Sequence, residues 1–307
     1  MNEGLGACAC RQLALVGPTA SGKSAVALEV ARRARDIEIV SVDAMQVYRG
    51  MDIGTAKSTW AERTEVPHHL IDVAEPSENY AVARYQRDAR AALDDIAARG
   101  KRALLVGGTG LYLRAIIDEL DIPAQYPEAR YELDNDRDTL ALHARLARLD
   151  PVAASRMEPT NRRRIVRALE VTIGSGRPFS SYGPGLDTYR TAILPIVGLR
   201  MPRALLDARI DARYDAQLAG GFLDEVRELR AQTLSRTARQ ALGYKELLDH
   251  LAGMCTLDEA MALARARTRR FARRQDRWFR RDPRVRWIDV TENPMVAVDA
   301  VLGELSE

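Results

Sequence analysis

The sequence predicts an α/β fold in which a mostly parallel sheet is flanked by helices, with a helical insertion and a helical C-terminal region. A glycine-rich motif typical of phosphate binding lies between a short apolar run and a helical pattern. Further β-branched runs alternate with helical patterns, as they do in parallel sheets. A charged, helix-rich stretch interrupts this alternation. We therefore expect a core formed by 1–119 and 187–307 and an insertion formed by 120–186.

The strands are predicted from short apolar or β-branched runs. The first, "QLALV", ends at Gly17 and is followed by "GKSAVALEVARRAR", whose composition and spacing are helical. A second helix is expected from about Ala81 to Arg99. Ligands of such a sheet bind at the carboxyl ends of its strands. The predicted strands are 12–16, 37–43, 69–73, 102–108, 191–199 and 285–290.

The insertion contains two charged helical patterns, "DTLALHARLARLD" and "NRRRIVRALEVTIGSG", and ends in the loop "GSGRPFSSYGPG". After the sheet resumes, 202–281 is almost wholly helical in pattern. Eleven arginines and only two acids lie between Arg265 and Arg286, although the net charge of the chain is only +3. This stretch indicates either a polyanionic partner or a solvated helix face.

Composition excludes several classes of protein. A hydrophobic content of 46% and a charged content of 29% are typical of a globular protein. Cys8, Cys10 and Cys255 are too few for a disulfide framework, and their spacing does not indicate zinc. "LGAC" at 5–8 lacks the flanks of a lipoprotein signal, and no segment has the apolar length of a membrane span. We expect a monomer in the reducing cytoplasm.

The motif "GPTASGKS" fits G-x-x-x-x-G-K-[ST], the P-loop that binds nucleotide phosphates. Backbone amides at the start of the following helix attract phosphate oxygens. Lys23 adds a positive charge, and the hydroxyl of Ser24 is a natural Mg²⁺ ligand. The motif indicates a di- or triphosphate and says nothing about its fate. Its candidate residues are Gly17, Pro18, Thr19, Ala20, Ser21, Gly22, Lys23 and Ser24.

Asp43 follows the second predicted strand. It could be a Walker-B carboxylate that holds Mg²⁺, a general base at the strand tip, or the cap of the turn that follows the strand. The residues alone leave the three interpretations open. The polar run "DIGTAK" at 52–57 has the composition of a loop that faces a ligand.

Longer segments resemble the tRNA dimethylallyltransferases, also called tRNA isopentenyltransferases, of the bacterial type. They are "GPTASGKS", "SVDAMQVYRGMDIGTAK", "VPHHLIDVAEPSENYAVARY", "LLVGGTGLYLRAI", "RALEV", "RIDARYDAQLAGGFLDEVREL", "QALGYKEL" and "RRQDRWFR". The resemblance covers nearly the whole chain and implies a P-loop core with a helical insertion. It implies transfer of a dimethylallyl group from dimethylallyl diphosphate to N6 of adenine 37, in the anticodon stem-loop of tRNAs that read codons beginning with U. Mg²⁺ is the expected ion.

The resemblance also implies site residues. Asp43 is the candidate general base: the exocyclic amine is a poor nucleophile because its lone pair is delocalised into the ring, and a carboxylate that accepts its proton as the new bond forms would help. Thr109 is placed at the reacting region, and Arg213 is a second cation at the diphosphate beside Lys23. The implied tRNA contacts are Asp43, Ala44, Met45, Gln46, Thr109, Arg130, Arg163, Arg164, Arg167, Gln240, Gly243, Tyr244, Lys245, Arg273, Arg274, Gln275, Arg277 and Arg280.

The basic C-terminal segment has a helical pattern of its own. Five arginines at three- and four-residue spacings share one face, which suits phosphate contacts. Phe271 and Trp278 fall on another stripe and are expected in the core. His68 and His69 are interpreted as structural because no acids lie at metal-ligand spacing. The arginines of the face are Arg270, Arg273, Arg274, Arg277 and Arg281.

Three alternatives remain. The P-loop alone favours an ATP-dependent small-molecule kinase, with the insertion as its lid. A P-loop NTPase that binds RNA without group transfer is the second. The third is an isopentenyltransferase that acts on free adenine nucleotides. "GGTGLY" and the basic C-terminal helices argue against the kinase, and the arginines favour tRNA over a free nucleotide.

Overall fold

A computed structural model of the chain describes residues 12–306, without the side chain of Ser306. Cys8, Cys10 and the "LGAC" segment lie outside the described residues. The chain divides into two compact units. One contains the chain up to Ile117 and again from Thr191, and the other is Asp118–Arg190. The expected insertion, 120–186, falls within the second unit.

The first unit is built on a parallel sheet of six strands, in the order β3-β2-β4-β1-β5-β6. The α/β fold class is therefore confirmed. β1 and β2 both pair with β4, and Val16 and Val42 are level with Gly107 in the two registers. The segments after these three strands consequently emerge side by side. The strands are β1 Gln12–Val16, β2 Ile37–Val42, β3 His68–His69, β4 Arg102–Gly107, β5 Ile196–Arg200 and β6 Val285–Asp289.

Two predicted strands are shorter than expected. The prediction of 69–73 is wrong beyond His69, because Leu70 and Asp72 have left-handed backbones, with φ of +63° and +57°, that end the extended conformation. The prediction of 191–199 is wrong before Ile196. Leu194 is buried although it lies outside the strand, so the apolar character of that run reflects burial and not pairing.

Helices flank the sheet and form most of the C-terminal region, as predicted. The helix expected from Ala81 to Arg99 is α3, and the prolonged helical pattern of 202–281 is confirmed. The helices are α1 Lys23–Ala34, α2 Trp60–Glu65, α3 Val82–Ala98, α4 Gly110–Ile117, α5 Pro127–Asn135, α6 Thr139–Leu149, α7 Pro151–Ser155, α8 Arg162–Ser175, α9 Arg203–Ala219, α10 Phe222–Arg230, α11 Arg236–Arg239, α12 Tyr244–Leu251, α13 Leu257–Arg280 and α14 Val298–Ser306. Single 3₁₀ turns are formed by Phe179–Tyr182 and Pro294–Ala297.

The second unit has a hydrophobic core of its own, to which α5, α6 and α8 contribute Leu133, Leu146 and Leu169. Glu170 of α8 is also buried, and its carboxylate accepts hydrogen bonds from the N–H of Tyr126 at 3.0 Å and from Arg167 at 2.6 Å. The unit therefore packs around its own apolar and ionic contacts. Within residues 12–306, no helix is both long enough and apolar enough to cross a bilayer.

Candidate active site

The segment after β1 folds into an anion-binding loop. Gly17, Ala20 and Gly22 all have positive φ, at +148°, +65° and +91°. At Gly17 a side chain is excluded as well, because a Cβ there would lie 2.8 Å from the carbonyl oxygen of Leu199. α1 begins at Lys23, and no side chain caps its N-terminus. Its first backbone N–H groups are thus left for a ligand, and the helix dipole favours an anion there.

Not every residue of the loop offers an amide. Pro18 has no N–H, and its carbonyl accepts a hydrogen bond from Lys23 Nζ at 2.7 Å. The Thr19 N–H donates to Oε1 of Gln275 at 2.8 Å. The buried hydroxyl of Ser21 has no hydrogen-bond partner among the described residues. Pro18 and Thr19 consequently shape the loop, whereas Ser21 has a polar group free for a ligand. The amides that make no hydrogen bond within residues 12–306 are those of Ala20, Gly22, Lys23 and Ser24.

Lys23 is buried beside two charged residues. Burial lowers the pKa of its ammonium to about 8; nearby Asp43 opposes the shift, and Arg213 adds to it. The amine therefore titrates close to neutral pH when no anion is bound. A bound diphosphate would favour the charged form, since an opposite charge at close range stabilises an ammonium.

Arg213 and Arg209 approach the loop from α9. The Nη1 of Arg213 donates to the hydroxyl of Thr19 at 2.8 Å, and its buried Nε has no partner in the described chain. Burial lowers the pKa of this guanidinium. Arg209, one turn earlier, donates to the carbonyl of Ala20 at 3.4 Å. Arg209 is not among the residues predicted from the sequence, although its four-residue spacing from Arg213 indicates that both lie on one helix face.

Asp43 and Thr109 meet at the ends of β2 and β4. Oδ1 of Asp43 accepts hydrogen bonds from the N–H groups of Met45 at 2.8 Å and Gln46 at 3.3 Å. Its Oδ2 makes no hydrogen bond to any described residue. The hydroxyl of Thr109 accepts from the N–H of Ala44 at 3.1 Å. One oxygen of Asp43 therefore caps the turn, and the other remains available for chemistry beside Lys23.

Gln46, expected to contact tRNA, forms its side-chain hydrogen bonds within the protein. Its Nε2 donates to the carbonyls of Thr55 and Ala56 at 3.2 and 3.3 Å, and its Oε1 accepts from the hydroxyl of Ser41 at 2.8 Å. Ala44 and Met45 are partly exposed beside it. Among the polar side-chain atoms of residues 43–46, Oδ2 of Asp43 is therefore the one without a hydrogen bond to a described residue.

Glu225 on α10 fixes the loop that contains "DIGTAK". Its carboxylate accepts the N–H groups of Asp52, Ile53 and Gly54 at 2.9, 2.7 and 3.2 Å and the hydroxyl of Tyr244 at 2.6 Å. Sequence reasoning missed Glu225, because nothing in "DEVREL" separates it from a surface carboxylate.

The buried ammonium of Lys57 also holds this loop through hydrogen bonds within the protein. It donates to the carbonyl of Tyr48 and to the carboxylates of Asp52 and Asp72 at 2.5 to 2.6 Å. The polar groups of the run are thus largely bonded within the protein. The loop supports the site and does not mainly face a ligand, contrary to the expectation from its composition.

The arginines of α13, together with Arg281 directly after its last residue, fall into two groups. Arg265, Arg267, Arg269 and Arg280 form ion pairs with Asp215, Glu246, Asp211 and Asp276. The five arginines predicted to share one face, at 270, 273, 274, 277 and 281, have no acidic partner within residues 12–306. We call these five the arginine face. No acid of the described chain forms an ion pair with the arginine face, whereas the other four arginines are paired.

The two aromatic residues of α13 differ in environment. Trp278 packs against the core, as expected. Phe271 lies outside the core of the described residues, so the expectation for it is wrong. The guanidinium of Arg274 lies 5.5 Å from the centroid of its ring. Phe271 is therefore part of the surface next to the arginine face.

The segment "QALGYK" joins α11 to α12. Gln240 is exposed, and Gly243 has a φ of +85° with its N–H donating to the buried carboxylate of Glu246 at 2.8 Å. Tyr244 is buried, and Lys245 forms an ion pair with Asp249 at 2.5 Å. Gln240 is the member of this segment that lies open to a partner.

Among the expected tRNA contacts of the second unit, too, some arginines form ion pairs within the protein and others do not. Arg130 pairs with Asp134 at 2.9 Å, and Arg167 pairs with buried Glu170. Arg163 and Arg164 are exposed at the start of α8 and have no acidic partner in the described chain. The latter two are therefore the better placed for a polyanion.

His68 and His69 both have partners within the protein. Among residues 12–306, no group of three His, Cys, Asp or Glu side chains is arranged to hold a metal. His68 Nδ1 contacts the carbonyl of Val66 at 2.7 Å, and His69 Nε2 contacts Glu38 at 2.6 Å. Burial lowers the pKa of His68. Both histidines have internal partners, which agrees with their interpretation as structural.

The parallel sheet, the loop before α1 and the carboxylate at the end of β2 define a P-loop protein of the α/β class. Comparison with known families identifies which one. The family model "IPP transferase" matches residues 46–282, and the model "Isopentenyl transferase" matches residues 11–72. The chain belongs to the IPP transferase family, a family of prenyl-transferring enzymes.

Individual relatives agree with this assignment. The chain is 52% identical over 286 residues to a tRNA dimethylallyltransferase of Kineococcus radiotolerans, with 90% of each chain covered. It is 49% identical over 298 residues to one of Streptomyces avermitilis, covering 94% of this chain and 95% of the relative. The crystal structure of the full-length tRNA isopentenylpyrophosphate transferase from Bacillus halodurans superposes with a TM-score of 0.69 at 39% identity, covering 96% of each chain.

Proposed function

We propose that the chain transfers the dimethylallyl group of dimethylallyl diphosphate to N6 of adenine 37, in tRNAs that read codons beginning with U. The products are N6-isopentenyladenosine and diphosphate. Family membership supports the reaction type. The observation that carries the proposal is the carboxylate of Asp43, held through Oδ1 with Oδ2 free, at the same sheet edge as the P-loop.

Asp43 is the proposed general base. The N6 amine attacks the allylic carbon as the bond from that carbon to the diphosphate oxygen breaks, and the bonding electrons leave with the diphosphate. The N6 proton passes to Oδ2 of Asp43, which increases the nucleophilicity of the amine. The two backbone N–H groups at Oδ1 keep the carboxylate in one orientation, and Thr109 holds the same turn from the neighbouring strand.

The P-loop is the proposed cradle for the leaving diphosphate. Charge builds on the leaving oxygens, and donors already in place stabilise that charge at little reorganisation cost. The unpaired amides of the loop, the hydroxyl of Ser21, the ammonium of Lys23 and the Nε of Arg213 supply such donors. Arg209 is proposed as a further cation at the diphosphate, because its guanidinium contacts the P-loop at Ala20.

Mg²⁺ is proposed as the accompanying ion, with Ser24 as its protein ligand. The exposed hydroxyl of Ser24 lies in the first turn of α1, and the described residues supply no cluster of acids or histidines. One protein oxygen beside a diphosphate suits Mg²⁺, which retains waters and binds phosphate oxygens. When bound, the ion would neutralise charge on the departing diphosphate.

The arginine face and Arg163–Arg164 are the proposed main contacts to the anticodon stem-loop. Arginines without acidic partners are available for RNA phosphates, which position the nucleic acid. Gln240 and the segment 43–46 are proposed to lie nearer the target base, which must leave its stack to be modified. The remaining candidates, Arg130, Arg167, Gly243, Tyr244, Lys245 and Arg280, keep a proposed role in shaping these contacts through their internal partners.

Incubation with labelled dimethylallyl diphosphate and unmodified tRNA tests the function. We expect label in tRNA and none in tRNA that lacks adenine 37. Turnover of ATP without label in tRNA would instead support a kinase or an NTPase. Competition between AMP and tRNA separates tRNA prenylation from the modification of free nucleotides. The enzyme is proposed to act as a cytoplasmic monomer, which sedimentation at assay concentration would check.

A further inference from the structure

Gln275 joins two parts of the candidate site that are far apart in the sequence. Its Oε1 accepts the N–H of Thr19 at 2.8 Å, and its Nε2 donates to the carbonyl of Gly108 at 2.9 Å. Thr19 lies in the P-loop, and Gly108 directly precedes Thr109. One carboxamide therefore connects the loop that would hold the diphosphate with the loop that would meet the acceptor.

The surroundings of Gln275 leave little freedom. Its side chain is buried, with 6% exposed. A Cβ at Gly108 would lie 2.1 Å from its Nε2, and a Cβ at Gly110 would lie 2.0 Å from Nε1 of Trp278, one turn further along α13. The glycines of "GGTG" thus let α13 approach the end of β4. The expectation that Gln275 contacts tRNA does not fit this position, because both halves of its amide are already bonded.

We propose that Gln275 is a positioning residue for the diphosphate, a role that rests on the proposed transferase function. Gln275 accepts a hydrogen bond from the N–H of Thr19, and Arg213 donates one to the hydroxyl of the same residue. Thr19 is thereby fixed, and the loop presents its next free amides to the ligand in one arrangement. The carboxamide supplies both the acceptor for Thr19 and the donor for Gly108. Ionised glutamate lacks the donor, and methionine lacks the donor and offers only a weak sulfur acceptor.

The test compares Gln275→Met with Gln86→Met in the full chain. Gln86 on α3 is the control, since it is also a glutamine whose Nε2 donates to a backbone carbonyl, that of Ala115 on α4, at 2.6 Å. Binding of inorganic pyrophosphate is measured by calorimetry, tRNA binding by filter retention, and Tm by thermal unfolding. We expect Gln275→Met to weaken pyrophosphate binding about tenfold and to leave the Kd for tRNA within about twofold. Gln86→Met should leave both affinities unchanged at a similar loss of Tm.

Weaker tRNA binding with unchanged pyrophosphate binding would overturn the proposal and make Gln275 an RNA contact. A lower Tm with both affinities unchanged would also overturn it, since Gln275 would then only pack. If Gln275→Met does not fold, Gln275→Asn is measured instead, because it adds no charge and keeps the carboxamide but is one methylene shorter and cannot reach both loops. Pyrophosphate binding by Gln275→Asn equal to that of the wild type would overturn the proposal. Because pyrophosphate binding needs no turnover, absence of transfer by the wild type would overturn the proposed function alone.

Discussion

The hydroxyl of Thr109 accepts a hydrogen bond from the backbone N–H of Ala44, with 3.1 Å between oxygen and nitrogen. The contact links the residue after β4 to the turn after β2, and Ala44 is the neighbour of Asp43. A second bond, from the N–H of Thr109 to the carbonyl of Val42 at 3.2 Å, fixes the same register. A hydroxyl that accepts one hydrogen bond can still donate its proton. Thr109 can therefore orient the turn and donate to a substrate at once.

Thr109→Ala should lower prenyl transfer about tenfold, because the turn that carries Asp43 loses one of its supports. Thr109→Ser keeps the hydroxyl and should retain most of the activity. The measurement is kcat for labelled dimethylallyl transfer at saturating tRNA. Thr64→Ala, which removes a hydroxyl bonded to the carbonyl of Trp60 on exposed α2, serves as the control. Equal rates for the alanine and serine variants would argue against a role for the hydroxyl.

Asp43→Asn should lower kcat by roughly 10²–10⁴-fold, the usual contribution of a general base. The amide oxygen of asparagine can still accept from Met45 and Gln46, so the turn is preserved while the base is lost. The Kd for tRNA should be unchanged. Single-turnover transfer at saturating donor and tRNA measures the chemical step directly. A rate within a few-fold of wild type would remove Asp43 from proton transfer.

The sheet could be predicted because its strands are short apolar runs separated by helical patterns. The predicted bounds of β1, β2 and β4 agree with the structure to within a residue, since each strand is largely buried and is followed by glycine or aspartate. The third predicted strand was too long because left-handed residues such as Leu70 are not visible in an apolar run. Hydrophobicity reports burial and does not distinguish a buried strand from a buried loop.

The pH dependence of diphosphate binding should reflect Lys23. Burial lowers its pKa to about 8, so the free enzyme loses this positive charge as pH rises through that value. Affinity for inorganic pyrophosphate should therefore be highest below about pH 7 to 8 and should fall above it. An ordinary lysine would retain its charge to about pH 10.

Calorimetric titrations of pyrophosphate from about pH 6 to about pH 10 would measure this dependence. Lys23→Arg keeps its charge throughout the range and corrects for the titration of pyrophosphate itself. Affinity that falls equally in both proteins would show that Lys23 does not control it.

The site could be predicted only where one contiguous segment carries the signal. The P-loop and Asp43 lie in such segments. Glu225, Arg209 and Gln275 act on residues more than 150 positions away, through contacts that only the fold creates. No local pattern distinguishes Glu225 or Gln275 from surface side chains, and for Arg209 the four-residue spacing from Arg213 indicates only a shared helix face. Pairing of arginines on α13 was equally hidden, because the acids at 211 and 215 lie on another helix.

Replacing Arg273 and Arg274 with alanine should weaken tRNA binding and reduce its salt dependence. Each phosphate contact contributes about 0.7 to 0.9 to the slope of log K against log salt, so the double variant should lower the slope by about 1.5. Arg265→Ala with Arg269→Ala is the matched control, since both arginines are ion-paired within the protein. Filter binding across a salt series measures both slopes. If the two double variants behave alike, the arginine face is only a solvated surface.

Glu225→Gln should loosen the loop at 52–54, because an amide places an NH₂ group against backbone donors that now point at a carboxylate. Three N–H groups and the hydroxyl of Tyr244 share that carboxylate. These N–H groups are exposed or half-buried, so water partly replaces the lost partner and the free energy of unfolding should fall by about 1 kcal/mol. Transfer activity should fall with it, since the loop also bonds Gln46, which lies in the turn after Asp43. Glu228→Gln, on the exposed face of the same helix, is the control. Denaturant unfolding of both variants decides the matter, and equal stabilities would mean that Glu225 does not support the loop.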